Sequence, residues 1–379
     1  MIMRLISFML LALLLLSSCS PEKKETTLPA NYDRASHPQY TGVKTQSVYV
    51  PMSDGVKLAI DIFLPTEGPA LDKFPVVLSY TPYQRSRIDR ETGKISDIST
   101  EKLSKLLLEQ GYALVCADIR GTGASTGWLL DFMPKIWSDG RELVDWIAEQ
   151  PWCDGNVGMR GGSYLGWSQL ATASEQPAAL KCIVPAVVPL EGYTGEVYPG
   201  GIYLQGFMKK WSSYMYLSTR NYYLPEAKLT SKPALDEDND GDLLDEIPLD
   251  KDKNGTFLND GFPPAYTDNS KRADVYYNLS KEHDEKNYDY TTWTEHVYYY
   301  DGKSPLGLTV YEIGPTALVH GIMESGIPVY NVGGWFDGFA RGSFELFETM
   351  KKTNPSRIIM GPGYHNYHGG PFWKYFGIS

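Results

Sequence analysis

Short apolar runs alternate with segments whose apolar residues recur at helical spacing, and few folds accept that alternation. Phe74–Tyr80, Ala113–Ile119, Val157–Arg160, Cys182–Val188, Val329–Gly333 and Ile358–Met360 are short, apolar runs of the buried-strand kind. Between them, Ser99–Gln110 carries Leu103, Leu106 and Leu107, with Ser99 or Thr100 as its cap and Gly111 as its stop. Asp139–Glu149 repeats the helical spacing through Leu143, Val144, Trp146 and Ile147, and a further helix runs over Ala340–Lys352. Gln46–Val50 and Val56–Leu64, joined by Ser53-Asp54-Gly55, read as an opening hairpin. The pattern predicts an α/β chain: a mostly parallel sheet with helices on both faces and a site at the carboxyl ends of its strands.

Between Pro189 and Gly326 the alternation stops and tyrosines accumulate, among them Tyr203, Tyr214, Tyr216, Tyr222, Tyr276 and Tyr277. Such a stretch reads as a cap inserted between two core strands. The expected division is a core over 41–190 and 327–379 with the cap at 191–326. The balance of 46 acidic against 35 basic residues, net −11, excludes a nucleic-acid partner, because no basic stripe exists to neutralise phosphates. Four cysteines make no disulfide scaffold and no Cys-x-x-Cys metal pair. Cys116 and Cys182 lie in apolar runs and are expected as buried strand thiols.

Asn156-Val-Gly-Met-Arg-Gly-Gly-Ser163-Tyr-Leu-Gly166 is a strand, a glycine corner, a serine and a helix start. A serine there projects its hydroxyl from the top of a sheet, as in the Gly-x-Ser-x-Gly corner, although Leu165 holds the second glycine position and Gly166 follows one later. The hydroxyl needs a base to take its proton and an acid to orient that base. Of six histidines, His37 falls in a polar leader, His283 and His296 in the cap, and His320 ahead of a core strand. His365 and His368 follow the last strand in Gly361-Pro-Gly-Tyr-His365-Asn-Tyr-His368. Asp337 leaves the preceding strand by a similar loop. A chain order of Ser163, Asp337 and then histidine is that of the α/β-hydrolase fold. The backbone N–H of Tyr164, next to the nucleophile, is a candidate oxyanion donor.

These segments resemble a known family. Trp152-Cys-Asp-Gly-Asn-Val-Gly-Met159, Gly162-Ser-Tyr-Leu-Gly166, Asp118-Ile-Arg-Gly-Thr-Gly123, Gly334-Trp-Phe-Asp-Gly338, Gly361-Pro…His365 and the hairpin from Val50 to Ala59 are similar to the bacterial cocaine esterase and X-Pro dipeptidyl-peptidase family of serine hydrolases. The resemblance implies a triad of Ser163, Asp337 and His365, choosing His365 over His368 by its Gly-Pro-x-x-His position. It also implies a tyrosine hydroxyl as second oxyanion donor, and Thr81-Pro82-Tyr83 supplies Tyr83. Members of the family usually continue after the histidine into a jelly-roll β-sandwich. This sequence stops at Ser379, so the expectation is a fragment or a chain that has lost that module.

Two further signals lie outside the core. Arg4 followed by the apolar run Leu5–Leu16 and Leu16-Ser17-Ser18-Cys19 resembles the lipobox of bacterial lipoproteins. The expectation is a signal peptide over 1–19, lipidation at Cys19, a tether over 20–40, and a body held at the cell envelope outside the cytoplasm. A lipid label lost in Cys19→Ala would test it, and a retained label would refute it. In the cap, Asp236, Asp238, Asp240 and Asp242 with Gly241, then Asp250, Asp252 and Asn254 with Gly255, resemble the first half of an EF-hand calcium loop. Both lack the Glu at position twelve, so Glu246 or Asp260 would have to substitute. Structural calcium is therefore expected, with no cofactor needed for catalysis. The expected activity is cleavage of an ester or amide, in a peptide or small acyl substrate, through an acyl-enzyme. The rival reading is a non-catalytic lipoprotein that binds peptides or glycans in a hydrolase-like shell.

Overall fold

The computed structural model describes residues 39–130, 132–222, 228–247, 252, 254–256, 274–292 and 299–365. Its main sheet has eight strands. Their spatial order is β1 (Gly42–Pro51), β2 (Lys57–Thr66), β6 (Ala113–Asp118), β3 (Phe74–Thr81), β7 (Cys153–Gly162), β8 (Leu180–Ala186), β10 (Val329–Gly334) and β11 (Ser356–Gly361). β2 runs against both of its neighbours, and every pair from β6 to β11 is parallel. This is an α/β-hydrolase sheet. A small antiparallel sheet of β5 (Ile95–Asp97), β4 (Ser86–Asp89) and β9 (Leu229–Ser231) ties the chain leaving β3 to the insertion.

Side chains alternate across the pleat, so one set of strand residues meets one layer of helices. Ile60, Leu78, Val115, Met159, Ile183 and Val329 face α2 (Lys135–Ala148), α3 (Tyr164–Ser174), α7 (Pro315–Ser325) and α8 (Ala340–Met350). Each such residue, fully buried, stabilises the fold by roughly 1.5–3 kcal/mol. On the other face Phe63 and Leu114 pack with Val77 against Leu107 and Leu108 of α1 (Lys102–Glu109).

Several expectations need correction. Leu103 and Leu106 of α1 are 47% and 49% exposed, while Ser104 and Leu108 are buried. Arg160 of β7 sets this rotation by donating to Ser104 Oγ (2.5 Å) and the Glu101 carboxylate (3.0 Å), which turns a polar residue toward the sheet. Ser99 and Thr100 do not cap α1; they form a 3-10 turn capped by Asp97, and α1 begins after Glu101 without a side-chain cap. Cys116 is buried as expected, but Cys182 is exposed, because β8 turns a residue fully inward again only at Ile183. The last helix of the expected insertion, α7, lies on the core: a Cβ on its Gly321 would come within 2.4 Å of the Ser174 carbonyl oxygen at the end of α3.

The insertion also supplies α4 (Gln205–Thr219), α5 (Asp274–Lys286) and the short α6 (Val310–Ile313). His283 of α5 is fully buried, and its Nε2 lies 2.8 Å from the Ser125 carbonyl oxygen, so that nitrogen donates. Burial lowers its pKa from 6.5 to about 4, with the Arg220 charge pressing the same way. The folded chain therefore holds His283 neutral where the unfolded chain takes up a proton. Its stabilisation is complete above pH ~6.5 and is lost as pH falls toward 4, about 3 kcal/mol in all. Urea titrations should show stability falling through that window, and His283→Gln should flatten the fall. A wild-type profile level from pH 6.5 to 4 would contradict this.

Candidate active site

The corner at the end of β7 is built by exclusion. A Cβ on Gly161 (φ +144°) would lie 2.4 Å from the Leu165 Cβ, and one on Gly166 would meet the Ala186 carbonyl and Val188, each at 3.1 Å. The displaced second glycine thus has a physical cause: position 166, not 165, passes the end of β8. Ser163 itself sits at φ 58°, ψ −124°, a backbone that costs a non-glycine residue about 1–3 kcal/mol. Surrounding bonds hold it there. Its N–H donates to the Ala186 carbonyl (2.9 Å), and its own carbonyl accepts from Gly166 (2.8 Å) and Trp167 (3.0 Å).

Asp337 and His365 arrive from β10 and β11 on loops joined to each other. The Trp335 N–H donates to the Gly361 carbonyl (2.9 Å) and the Phe336 N–H to that of Gly363 (3.1 Å). His365 Nδ1 lies 2.9 Å from Asp337 Oδ1, and His365 Nε2 lies 2.9 Å from Ser163 Oγ. The Asp337 side chain is 1% exposed, so its carboxylate accepts from Nδ1–H out of reach of bulk water. That leaves Nε2 free of a proton and able to accept the serine's. Phe207 of α4 and Phe339 press edge-on against the imidazole, with centroids 5.3 and 4.9 Å away.

Two donors flank the serine. Tyr164 heads α3, placing its backbone N–H at the positive end of the helix. The Tyr83 hydroxyl accepts a hydrogen bond from Trp211 Nε1 at 3.1 Å. Indole is only a donor, so Tyr83 keeps its own O–H to give away. Burial pushes the Tyr83 phenol up to about 12, against the opposing effect of its contacts with Trp211 and Ser163, so it stays protonated near neutral pH. The chain just beyond it is clamped by buried charge. Arg85 pairs with Asp61 (3.1 Å) and Asp118 (2.9 Å), and Lys232 with Asp61 (3.0 Å). Burial alone would raise the Asp61 carboxyl, but Arg85 and Lys232 outweigh it and hold it down at about 2.

A cleft walled by Phe132, Trp167, Phe207, Trp211 and Phe339 reaches Ser163, and Glu196 also lines it. Phe132 stacks on Tyr164 (4.7 Å) and faces Trp211 (6.1 Å), fixing the aromatic wall. Trp211, Phe207 and Glu196 escape a reading of the sequence, since the insertion has no period that marks them. Among the other expected residues, His320 is exposed beside Glu324. In the acidic loop, oxygens of Asp236, Asp238 and Glu246 lie within 4.8 Å of one another, as do those of Asp238, Asp240 and Asp245. The Asp242 carboxylate instead accepts from the Leu244 N–H (2.8 Å), and Asp252 and Asn254 bond each other (2.8 Å). Cys19, His37, Asp250, Asp260, His296 and His368 lie outside the described residues.

A serine on a strand–helix corner, met by an aspartate and a histidine from the next two strands of a parallel sheet, defines the class: an α/β-hydrolase chain with a Ser-His-Asp constellation. Its affiliation is more specific. Residues 54–367 match the X-Pro dipeptidyl-peptidase (S15) family, and the chain belongs to that family. A Mycobacterium bovis protein named as a serine esterase is 29% identical over 366 residues, covering 90% of this chain and 54% of its own. The cocaine esterase of a Rhodococcus species is 29% identical over 342 residues, covering 88% and 51%. The chain spans about half the length of these curated relatives. A CocE/NonD family hydrolase from Staphylococcus aureus shares the fold, with a TM-score of 0.55 at 20% identity over 89% of this chain and 50% of its own.

Proposed function

We propose that this chain is a serine hydrolase that cleaves an ester or amide through an acyl-enzyme on Ser163. The observation behind the reading is the continuous relay of two 2.9 Å contacts from Ser163 Oγ through His365 to Asp337. Ser163 Oγ attacks the substrate carbonyl carbon as its proton passes to His365 Nε2, and Asp337 stabilises the imidazolium. The carbonyl oxygen becomes an oxyanion between the Tyr164 N–H and the Tyr83 O–H. His365 then protonates the departing alcohol or amine, and water repeats the sequence to release the acid. Lipid attachment at Cys19, and with it a place at the cell envelope, remains part of the proposal.

A fluorophosphonate probe tests the reading: Ser163 should label within minutes at neutral pH, and an unlabelled, folded chain would leave only the binding-shell alternative. Substrate class turns on Glu196, the acidic side chain among the described residues that line the cleft. A carboxylate there suits a substrate ammonium, as an unblocked dipeptide or amino-acid ester would present. Glu196→Gln should lower kcat/KM for free-amine substrates roughly tenfold to hundredfold, the worth of one charged hydrogen bond, and leave N-blocked esters unchanged. Equal losses on both would remove Glu196 from recognition.

A further inference from the structure

We propose that the loop from Asp236 to Glu246 is a calcium site that braces the oxyanion side of the catalytic cleft. It holds seven acidic residues in eleven positions and no basic one. Such crowding alone makes no site, and the deciding observation is Glu246. This residue is fully buried; Oε1 accepts the Glu237 N–H at 2.7 Å, while Oε2, also buried, has no hydrogen-bond partner among the described residues. An unpaired carboxylate oxygen inside a protein is costly. Glu246 sits among further carboxylates: one oxygen from each of Asp236, Asp238 and Glu246 lies within 4.8 Å of the other two. Asp236 and Asp238 also accept the Asp240 and Gly241 N–H groups, and a cation is the partner that would join all three carboxylates and meet the unpaired oxygen of Glu246.

The donors select its kind. All are carboxylate oxygens, which suit a hard ion and not zinc or copper. Oxygens in one calcium shell sit 2.3–2.6 Å from the ion, so they can be up to about 5 Å apart, which accommodates the observed spacing; magnesium at about 2.1 Å demands a tighter octahedron. Glu246 stands one place short of the glutamate of an EF-hand loop. Burial of the adjacent Ile247 against Ile88 and Tyr276 turns it inward.

That packing gives the ion a structural consequence. Glu237, between two ligands, accepts from the Val275 and Tyr276 N–H groups (3.3 and 3.4 Å) at the head of α5. Ile88 belongs to β4, the strand that follows Tyr83 and Arg85. One bound ion thus fastens the insertion to α5 and to the strand leading out of the oxyanion tyrosine.

The full chain, stripped with EGTA and dialysed, is titrated with calcium chloride by calorimetry and then melted with and without 2 mM calcium. Expected are saturable binding with Kd below about 10⁻⁴ M and a Tm rise of roughly 5 °C, with a much smaller rise in equal magnesium. Asp238→Asn, at a partly exposed position where folding is not at issue, and Glu246→Gln should each weaken calcium binding at least tenfold. Asp252→Asn should leave it unchanged. No binding at millimolar calcium, or parental affinity in Asp238→Asn or Glu246→Gln, overturns the proposal, and so does a loss confined to Asp252→Asn. Fluorophosphonate labelling of Ser163 in the same samples reports separately on the hydrolase reading.

Discussion

Ser163→Ala should abolish hydrolysis, slowing turnover by roughly 10⁴- to 10⁶-fold and eliminating fluorophosphonate labelling. The size follows from what is lost. Without Oγ the relay has no nucleophile, and His365 can only act on water that the apolar cleft does not position. His365→Ala should cost about as much, and the double variant little more, since the groups act as one unit. A companion effect separates chemistry from folding. Because Ser163 sits at φ 58°, ψ −124°, Ser163→Gly should be equally inactive yet about 1 kcal/mol more stable to urea, the backbone strain being relieved. Ser163→Ala keeps its Cβ and should gain no such stability. An alanine variant with appreciable turnover would mean that another residue performs the attack.

Tyr83→Phe should lower kcat by roughly 10²- to 10³-fold with KM nearly unchanged, the worth of one preorganised oxyanion donor. The structure explains why the loss falls on kcat. The phenol accepts from Trp211, which leaves its own proton to be donated where charge develops in the transition state. Phenylalanine keeps the ring contacts with Tyr164 and Tyr214, so ground-state packing survives. Trp211→Phe should show a smaller loss in the same direction, about tenfold, because the hydroxyl stays but is free to rotate. A fall in kcat/KM that lies wholly in KM would assign Tyr83 to substrate binding instead.

The sequence was legible where local geometry writes a pattern. Alternating apolar runs announced the sheet, and glycines 161, 162 and 166 around Ser163 announced the corner, because a tight turn tolerates no side chain there. The chain order of Ser163, Asp337 and His365 could be read because each leaves the carboxyl end of its own strand. Other features had no local signature. Helix α1 turned Leu103 and Leu106 outward because Arg160, far along the chain, claimed Ser104 and Glu101. Similarly, Trp211 reached Tyr83, and Glu196 reached the cleft, from an insertion without periodicity.

Strand, helix and turn preferences act over a few residues, so the sheet, the corner and the identities of the reacting groups were already written in the linear chain. Distances between those groups, the aromatic walls, the clamp on Tyr83 and the meeting of Glu246 with Asp236 and Asp238 came from folding. They join side chains through packing and charge across long loops, and the strength of such contacts depends on separation in space, of which spacing along the backbone keeps no record.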